Sequence, residues 1–289
     1  MMRAARGSSA KAMLAVSAAL PAAACLGTPT PLAPGLKGSV GVPHHGVLTN
    51  GRELPKKGTG YVRFRRHGAH YFGTLRLVEA LEQAAAAVWE ARPGGAPLVV
   101  GDLSGRHGGK IPGHRSHRTG RDADLLFYVT TPGGAPVQSP GFITFGPDGL
   151  AAVPGHDDEF VRFDVERNWL LVKTLVSSER VGVQWLFVSH PLEALLIDYA
   201  LARDEDLALV WAAENVLHQP GDSAPHDDHF HLRITCSAAE AVAGCEGGGP
   251  YWPWLPALSA LSPLTPAEQV SIAADDPLPS ATVPPGGTS

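Results

Sequence analysis

Histidine and aspartate side chains are crowded into two short segments of this 289-residue chain, which together hold five of its 13 histidines. The first segment spans residues 113–124 and the second spans residues 226–231. Their members are His114, His117, Asp122 and Asp124 in the first, and His226, Asp227, Asp228, His229 and His231 in the second. Neutral imidazoles and carboxylates suit Zn²⁺, which in hydrolases takes three protein ligands and keeps a fourth position for water. The two segments therefore predict one catalytic Zn²⁺ ion.

As a strand, the second segment would present two histidines to one cleft. Residues two apart on a strand point to the same face, so His229 and His231 lie side by side, one to bind metal and one to meet the substrate. Asp122 likewise faces the same way as Asp124, where it either supports a ligand or takes part in the chemistry. The metalloprotease motif His-Glu-x-x-His is absent from the sequence, so spacing identifies no glutamate as the base.

The general base stays open among four residues of the second segment. His226, Asp227, Asp228 and His229 each carry a group that accepts protons. The two aspartates are equally well explained as partners that orient the ligand histidines.

The order of these residues resembles a known zinc-peptidase superfamily. Ser116-x-x-x-Gly120-x-x-x-Asp124, with His117 seven residues before Asp124 and a distant His229-x-His231, is similar to the group of lysostaphin-type endopeptidases, D-Ala-D-Ala peptidases and the hedgehog signalling domain. Within that group, Ser-His-x-x-Gly-x-Asp-x-Asp at 116–124, the extra His114 and His-x-x-His-x-His at 226–231 resemble the penicillin-insensitive murein endopeptidase family. The resemblance covers about residues 58–235.

The resemblance implies a role for each matching residue. His117, Asp124 and His231 match the family's zinc ligands, and His229 matches its catalytic histidine. His114 and His226 match further active-site histidines, and Ser116 belongs to the motif. The family hydrolyses the D-alanyl to meso-diaminopimelyl cross-link between peptidoglycan stem peptides, and β-lactams do not inhibit it because no serine is acylated. An exported bacterial hydrolase is therefore expected.

Two other functions are compatible with the same residues. A D,D-carboxypeptidase or dipeptidase of the superfamily would use the same zinc ligands on a different stem-peptide bond, although His114 and His226 favour the endopeptidase. A non-catalytic zinc-containing module that binds peptidoglycan is the alternative outside enzymes, and the retained His229 argues against it.

The elements that must position these residues predict an α+β fold. Apolar residues at helical spacing, from Val78 to Val88, follow a capping Thr74 and predict an amphipathic helix. Further helices are predicted at about 164–178, 191–202 and 205–217. Strands are predicted at 97–103, 123–129, 181–188 and 229–235. The mixed order favours one catalytic domain with a central, mainly antiparallel sheet flanked by helices.

Composition divides the chain into four parts. Residues 1–24 combine basic residues, an apolar run and small residues, as in a signal peptide. Residues 25–57 are rich in Pro and Gly and predict a spacer, and residues 250–289 contain nine prolines and predict a tail. Residues 58–249 are left as the zinc metallopeptidase domain, with an irregular extension at each end.

The three cysteines agree with export. An oxidising compartment would let Cys236 and Cys245 form a disulfide. Cys25 follows residues 20–24, a degenerate lipoprotein box, so it either carries a lipid anchor or only adjoins an ordinary cleavage site. The apolar run before it is shorter than the ~20 residues that span a bilayer. The mature chain is predicted to be periplasmic, with no transmembrane span.

Charge and missing motifs argue against other functions. The chain has 23 Lys and Arg against 28 Asp and Glu, a formal net charge of −5, so no basic field favours nucleic acid as a partner. The sequence has no Gly-x-Gly-x-x-Gly, Gly-x4-Gly-Lys-Ser/Thr or Gly-x-Ser-x-Gly, which argues against nucleotide binding and serine hydrolysis.

Arg115, Arg118 and Arg121 are expected in a solvated loop or against substrate carboxylates. Trp252 and Trp254 are expected to cover the core or to stack on sugar.

Overall fold

The computed structural model of the chain describes residues 38–221, 223–247 and 249–256. The predicted signal peptide, Cys25 and the tail beyond residue 256 lie outside the described residues. Within the described ranges, no helix is both long enough and apolar enough to cross a membrane.

A seven-stranded sheet carries the two histidine-rich segments. The strands of the described residues are β1 (Gly38–Val42), β2 (His45–Thr49), β3 (Arg52–Glu53), β4 (Lys57–Gly58), β5 (Tyr61–Arg63), β6 (Phe72–Gly73), β7 (Leu98–Val100), β8 (Asp122–Leu126), β9 (Val129–Thr130), β10 (Pro136–Val137), β11 (Leu150–Val153), β12 (His156–Phe163), β13 (Val183–Phe187), β14 (Leu217–His218) and β15 (His229–Ile234). The large sheet has the order β14-β13-β15-β8-β7-β5-β4. Within it β13 pairs parallel with β14 and β5 with β7, and the other neighbouring strands pair antiparallel. The mainly antiparallel sheet predicted from the sequence is confirmed.

Four helices begin and end close to the positions expected from the sequence. The helices of the described residues are α1 (Leu75–Ala91), α2 (Val165–Val176), α3 (His190–Ala202), α4 (Leu207–Val216) and the unpredicted α5 (Ala238–Val242). Thr74 caps α1 as predicted, since its hydroxyl accepts a hydrogen bond from the Leu77 N–H at 3.2 Å. Asp164 and Asp206 cap α2 and α4 in the same way.

Alternation along β15 separates the core from the site. Phe230, Leu232 and Ile234 are fully buried in a core that also contains the apolar faces of α1 to α4. His229, His231 and Arg233 alternate with them along the strand and line a cleft on the other face. The shared face predicted for His229 and His231 follows from this period of two.

Residues 38–57, which composition assigned to a spacer, contain four short strands, the last of which extends to Gly58. β1 and β2 pair as an antiparallel hairpin, and the Gly41 N–H donates to the Gly244 carbonyl at 2.7 Å. Leu48 is only 2% exposed, and its N–H donates to the His107 carbonyl at 3.0 Å. The strands here are two to five residues long, so the turn residues between them dominate the composition. The folded part of the chain therefore begins no later than residue 38.

The first residues of the predicted tail pack against the domain. Cys236 and Cys245 form the expected disulfide. Trp252 is 6% exposed and Leu255 is 7% exposed, and the Trp252 indole N–H donates to the Gln184 carbonyl at 2.8 Å. Trp252 therefore covers the core, and the described part of the predicted tail packs on the domain although it contains neither helix nor strand.

Candidate active site

The two histidine-rich segments meet on adjacent strands. β8 and β15 pair antiparallel, with His231 opposite Asp124 and Arg233 opposite Asp122. Directly opposed residues of an antiparallel pair project to the same face. The pairing therefore brings the carboxylates of one segment against the imidazoles of the other.

His117 reaches the same face from the loop between β7 and β8. Its backbone adopts φ +63°, a left-handed conformation that is uncommon outside glycine, and its N–H donates to Asp122 Oδ2 at 3.3 Å. The ring is fully buried, and Nδ1 lies 2.6 Å from the Leu103 carbonyl oxygen. In the neutral ring, the Nδ1 proton is donated to that carbonyl and the Nε2 lone pair is directed at Asp124.

Three imidazole nitrogens surround one carboxylate oxygen. Asp124 Oδ1 lies 3.2 Å from His117 Nε2, 3.4 Å from His231 Nδ1 and 3.3 Å from His229 Nε2. The second oxygen, Oδ2, lies 3.7 Å from His114 Nδ1. Asp124 is 1% exposed, so this concentration of lone pairs is removed from bulk water.

Several atoms of this cluster have no conventional hydrogen-bond partner among the described residues. They are both carboxylate oxygens of Asp124, Nε2 of His117 and Nδ1 of His226. Buried polar atoms in this state destabilise a fold unless something else satisfies them. Two groups of three residues have ligand atoms within 4.8 Å of one another, namely His114, His117 and Asp124, and His226, His229 and His231. The donor set therefore fits a divalent metal, and the predicted triad takes its members from both groups.

Asp122 lies behind His231 instead of in the cleft. Its Oδ1 accepts hydrogen bonds from Arg233 Nε at 2.6 Å and from His231 Nε2 at 2.9 Å. Burial raises the pKa of the Asp122 carboxyl, but the charge of Arg233 and the bond from His231 outweigh it and hold that pKa far below its usual range. Burial also lowers the pKa of His231 to about 3. The ring is thus neutral, with Nδ1 directed at Asp124, which is the form that binds metal. With these contacts, the supporting role considered for Asp122 stays a prediction.

His229 lies in the cleft wall with both ring nitrogens close to carboxylates. Nδ1 is 2.5 Å from Asp228 Oδ1 and Nε2 is 3.3 Å from Asp124 Oδ1. Burial lowers the pKa of His229, but the close Asp124 and Asp228 carboxylates outweigh burial and raise it to about 10. The Phe142 ring packs edge-on against His229 with 5.1 Å between centroids. His229 is therefore a protonated imidazole that is held in a fixed position in the cleft wall.

His226 is the neutral neighbour of that cation. Its ring lies 5.2 Å from the His229 ring and 5.5 Å from the His231 ring. Burial, with the nearby His229 charge, lowers the pKa of His226 to about 4. The backbone carbonyl of the adjacent Asp227 accepts a hydrogen bond from the Phe145 N–H at 2.8 Å. Burial raises the pKa of the Asp227 carboxyl, whereas it lowers the pKa of His226.

Asp102 also lies in the cleft, although no motif in the sequence pointed to it. It lies just beyond β7 and accepts hydrogen bonds from His114 Nε2 at 3.3 Å and from Arg65 Nη1 at 3.4 Å. Burial raises the pKa of Asp102, but His114 and Arg65 outweigh it and leave that pKa below its ordinary value. The contact turns His114 Nδ1 toward Asp124. The available signal was the aspartate near the end of the apolar strand predicted at 97–103, since the ends of strands often deliver side chains to sites.

The cluster forms the floor of a cleft of about 780 Å³. Ser116 and Arg115 of the first segment line its wall, together with Phe142 and with His44 from the turn between β1 and β2. Arg121 is not part of it. That guanidinium is fully buried and donates to the carbonyl oxygens of Ile234, Glu246 and Gly247 at 2.6 to 3.2 Å. Arg121 thus anchors the segment after β15, and neither role expected for it applies.

Comparison with known proteins agrees with this geometry. The chain matches the family described as penicillin-insensitive murein endopeptidase over residues 39–139, a range that contains the first histidine-rich segment. A penicillin-insensitive murein endopeptidase of Haemophilus influenzae is 28% identical over 229 residues, which cover 77% of this chain and 71% of the relative. Another, of Klebsiella pneumoniae strain 342, is 30% identical over 92 residues, 32% of this chain and 33% of the relative. The chain is therefore similar in sequence to penicillin-insensitive murein endopeptidases, and the motif residues that carry this similarity lie together in one cleft.

Proposed function

We propose that this chain is a zinc-dependent endopeptidase that hydrolyses the D-alanyl to meso-diaminopimelyl cross-links of peptidoglycan. The observation that carries the proposal is the convergence of His117 Nε2 and His231 Nδ1 on Asp124 Oδ1, at 3.2 and 3.4 Å. The names of the relatives support murein as the substrate. The resemblance of the motifs at 116–124 and 226–231 to the family supports this cross-link as the bond that is hydrolysed.

His117, Asp124 and His231 are the residues that would hold the metal. When bound, Zn²⁺ would polarise the scissile carbonyl group and lower the pKa of a water molecule toward neutral pH. The protein fixes the ligand orientation from behind, with the Leu103 carbonyl on His117 and Asp122 on His231. Such outer partners typically contribute 10- to 100-fold to metal affinity or activity.

His229 is the residue that we assign to proton transfer. Asp228 holds Nδ1, so Nε2 is kept in the cleft on the same side as the metal ligands. From there Nε2 donates to the carbonyl oxygen as it becomes negative, or to the leaving amine. His226, the neutral ring next to it, is assigned to accept a proton within the same cleft.

The rim of the cleft fits a peptide that carries carboxylates and a small apolar residue. Arg65 and Arg115 line the cleft, and the Arg65 side chain is 62% exposed. Guanidinium groups bind carboxylates with defined geometry. Phe142, which is 38% exposed, offers an apolar surface directly beside His229.

We infer that the chain works in the periplasm. Residues 1–24 have the composition of an export signal, and the disulfide between Cys236 and Cys245 fits an oxidising compartment. A lipid on Cys25 would tether the mature chain to a membrane. Mass spectrometry of the chain purified from cells tests both points, because an unprocessed N-terminus contradicts export and an unmodified Cys25 contradicts tethering.

The direct test uses purified protein and cross-linked sacculi. Elemental analysis measures bound zinc, and separation of the released muropeptides measures conversion of dimers to monomers with and without a chelator. We expect stoichiometric zinc and chelator-sensitive loss of dimers. Release of free D-Ala with cross-links untouched would contradict the endopeptidase in favour of a carboxypeptidase. Zinc without any cleavage would contradict it in favour of a binding module.

Single substitutions separate metal binding from hydrolysis. We expect His229→Ala to retain zinc and lose hydrolysis by 10²- to 10⁴-fold, the range for general acid–base catalysis. His117→Ala and Asp124→Ala should lose both. His156, exposed on β12 and paired with Glu159 at 3.3 Å, provides the matched control His156→Ala, which should change neither. Unchanged hydrolysis in His229→Ala would contradict the assigned role.

A further inference from the structure

A second groove lies beside the cleft, at the edge of the large sheet where β13 pairs with β14. Its volume is about 500 Å³, within the range of small-ligand sites in proteins. Its walls combine the indole rings of Trp185 and Trp252 with polar side chains that include Glu193 and Glu214. We propose that this groove binds the saccharide strand of peptidoglycan, an inference that rests on the proposed function.

One aromatic side chain connects the groove with the cleft. Phe187 is paired with His231 on β15 and with His218 on β14, and its ring lies 5.4 Å from the His231 ring and 6.2 Å from the His218 ring. Trp185, two residues earlier on the same face of β13, stacks on Phe187 at 5.8 Å. Phe187 lines the cleft, whereas Trp185 and His218 line the groove. A polymer whose peptide branch occupies the cleft therefore has its backbone within reach of the groove.

The groove provides both kinds of contact that sugars require. The faces of indole rings carry partial negative charge and attract the C–H bonds of a pyranose ring. Carboxylate and amide groups exchange hydrogen bonds with hydroxyl and N-acetyl groups, and Glu193, Glu214 and Asn215 supply them here. Burial, with the neighbouring His190, lowers the pKa of His218, so a neutral ring is available both to donate and to accept.

The charge of the groove argues against stem peptides as its occupant. Glu193 and Glu214 place two carboxylates in the groove, and its lining within the described residues includes histidines but neither lysine nor arginine. The cleft differs, because Arg65 and Arg115 line it. A hydroxyl-rich, uncharged strand avoids the repulsion that peptide carboxylates would meet in the groove.

Trp185 and Glu214 are the residues through which the groove can be tested. Trp252 is 6% exposed and hydrogen-bonded to a main-chain carbonyl, so replacing it would disturb folding. Trp185 is half-buried, and Glu214 is exposed on α4. Trp89 and Glu90 are exposed side chains of the same two types on α1, outside the groove, and they provide matched controls.

The experiment measures binding of N-acetylglucosamine tetramers, which carry no carboxylate, to the full chain by calorimetry. We expect Trp185→Leu to weaken binding about 10-fold and Glu214→Gln about 3-fold, from the loss of one stacked ring and one charged acceptor. Trp89→Leu and Glu90→Gln should bind like the unmodified chain. Absence of binding by the unmodified chain, or equal affinity in all variants, would overturn the proposal. If Trp185→Leu does not fold, the surface variant Glu214→Gln decides.

Two further outcomes separate this inference from the proposed function. Competition by free stem peptide for the oligosaccharide site would overturn the saccharide assignment in favour of a peptide subsite. Because the probes contain no peptide, binding does not depend on hydrolysis. A chain that binds glycan but cleaves no cross-link contradicts the proposed function alone, and one that cleaves cross-links but binds no glycan contradicts this inference alone.

Discussion

Asp122→Asn tests whether the metal ligands are held from behind by a buried carboxylate. Asp122 is fully buried and accepts hydrogen bonds from Arg233, His231 and the His117 N–H. Asparagine has the same shape but replaces one acceptor by a donor and removes the negative charge opposite a guanidinium. The Arg233 side chain is 12% exposed, so water can replace little of what is lost.

The expected magnitude follows from these contacts. Removing one partner of a buried ion pair costs about 3–5 kcal/mol, and one retained amide oxygen offsets part of it. We expect the free energy of unfolding to fall by about 3 kcal/mol, more than a 100-fold change in the unfolding constant. Zinc affinity should fall about 10- to 100-fold because His231 loses the acceptor that orients it.

Urea unfolding in the presence of a chelator measures the free energy of unfolding without a contribution from bound metal. Competition with a chelator measures the zinc affinity. Asp198→Asn, at an exposed carboxylate on α3, is the matched control and should change neither. A free energy of unfolding within about 0.5 kcal/mol of the unmodified chain, together with unchanged zinc affinity, would refute the supporting role of Asp122.

Other substitutions have smaller expected effects. Asp102→Asn should lower kcat/KM about 10-fold with zinc retained, because His114 loses its carboxylate partner; unchanged kinetics would contradict this. The lowered pKa of Asp102 stabilises the fold above the unfolded value near 3.9 and stops doing so as the pH falls below it, so urea unfolding of Asp102→Asn should depend less on pH between about pH 5 and 2. Cys236→Ser should cost about 2–3 kcal/mol, since the disulfide closes a separation of nine residues, and an unchanged melting profile would count against it. Thr74→Ala should cost about 1 kcal/mol in the same assay through the lost helix cap, and no loss would contradict the cap.

The residues of the candidate site that a local pattern places could be predicted from the sequence. The alternation His229-Phe230-His231 fixes which side chains share a face whenever the segment is a strand, and the structure has that strand. The helix from Thr74 to Ala91 follows from its cap and its apolar spacing. Each of these inferences needs only neighbours within one element.

Residues that reach the site through long-range pairing could not be found in this way. Asp102 meets His114 only because the chain beyond β7 lies against the loop that carries His114. Phe187 becomes part of the cleft because β13 pairs with β15, which sets it opposite His231. The strands between 38 and 58 depend on hydrogen bonds to distant segments. No local pattern in the sequence encodes these pairings.

The Asp124 carboxylate favours the protonated forms of the histidines around it. A metal ion bound at this site would replace such a proton. Burial lowers the pKa values of His117 and His229, yet the adjacent Asp124 carboxylate outweighs it and raises both. A metal-bound His117 must give up its Nε2 proton, because one lone pair cannot serve both. Zinc uptake should therefore release protons, and zinc affinity should fall as the pH drops below the raised pKa of His117. Titration of chelator-treated chain with Zn²⁺ in weakly buffered solution near pH 7 measures this release, and uptake without protons would contradict a site at Asp124.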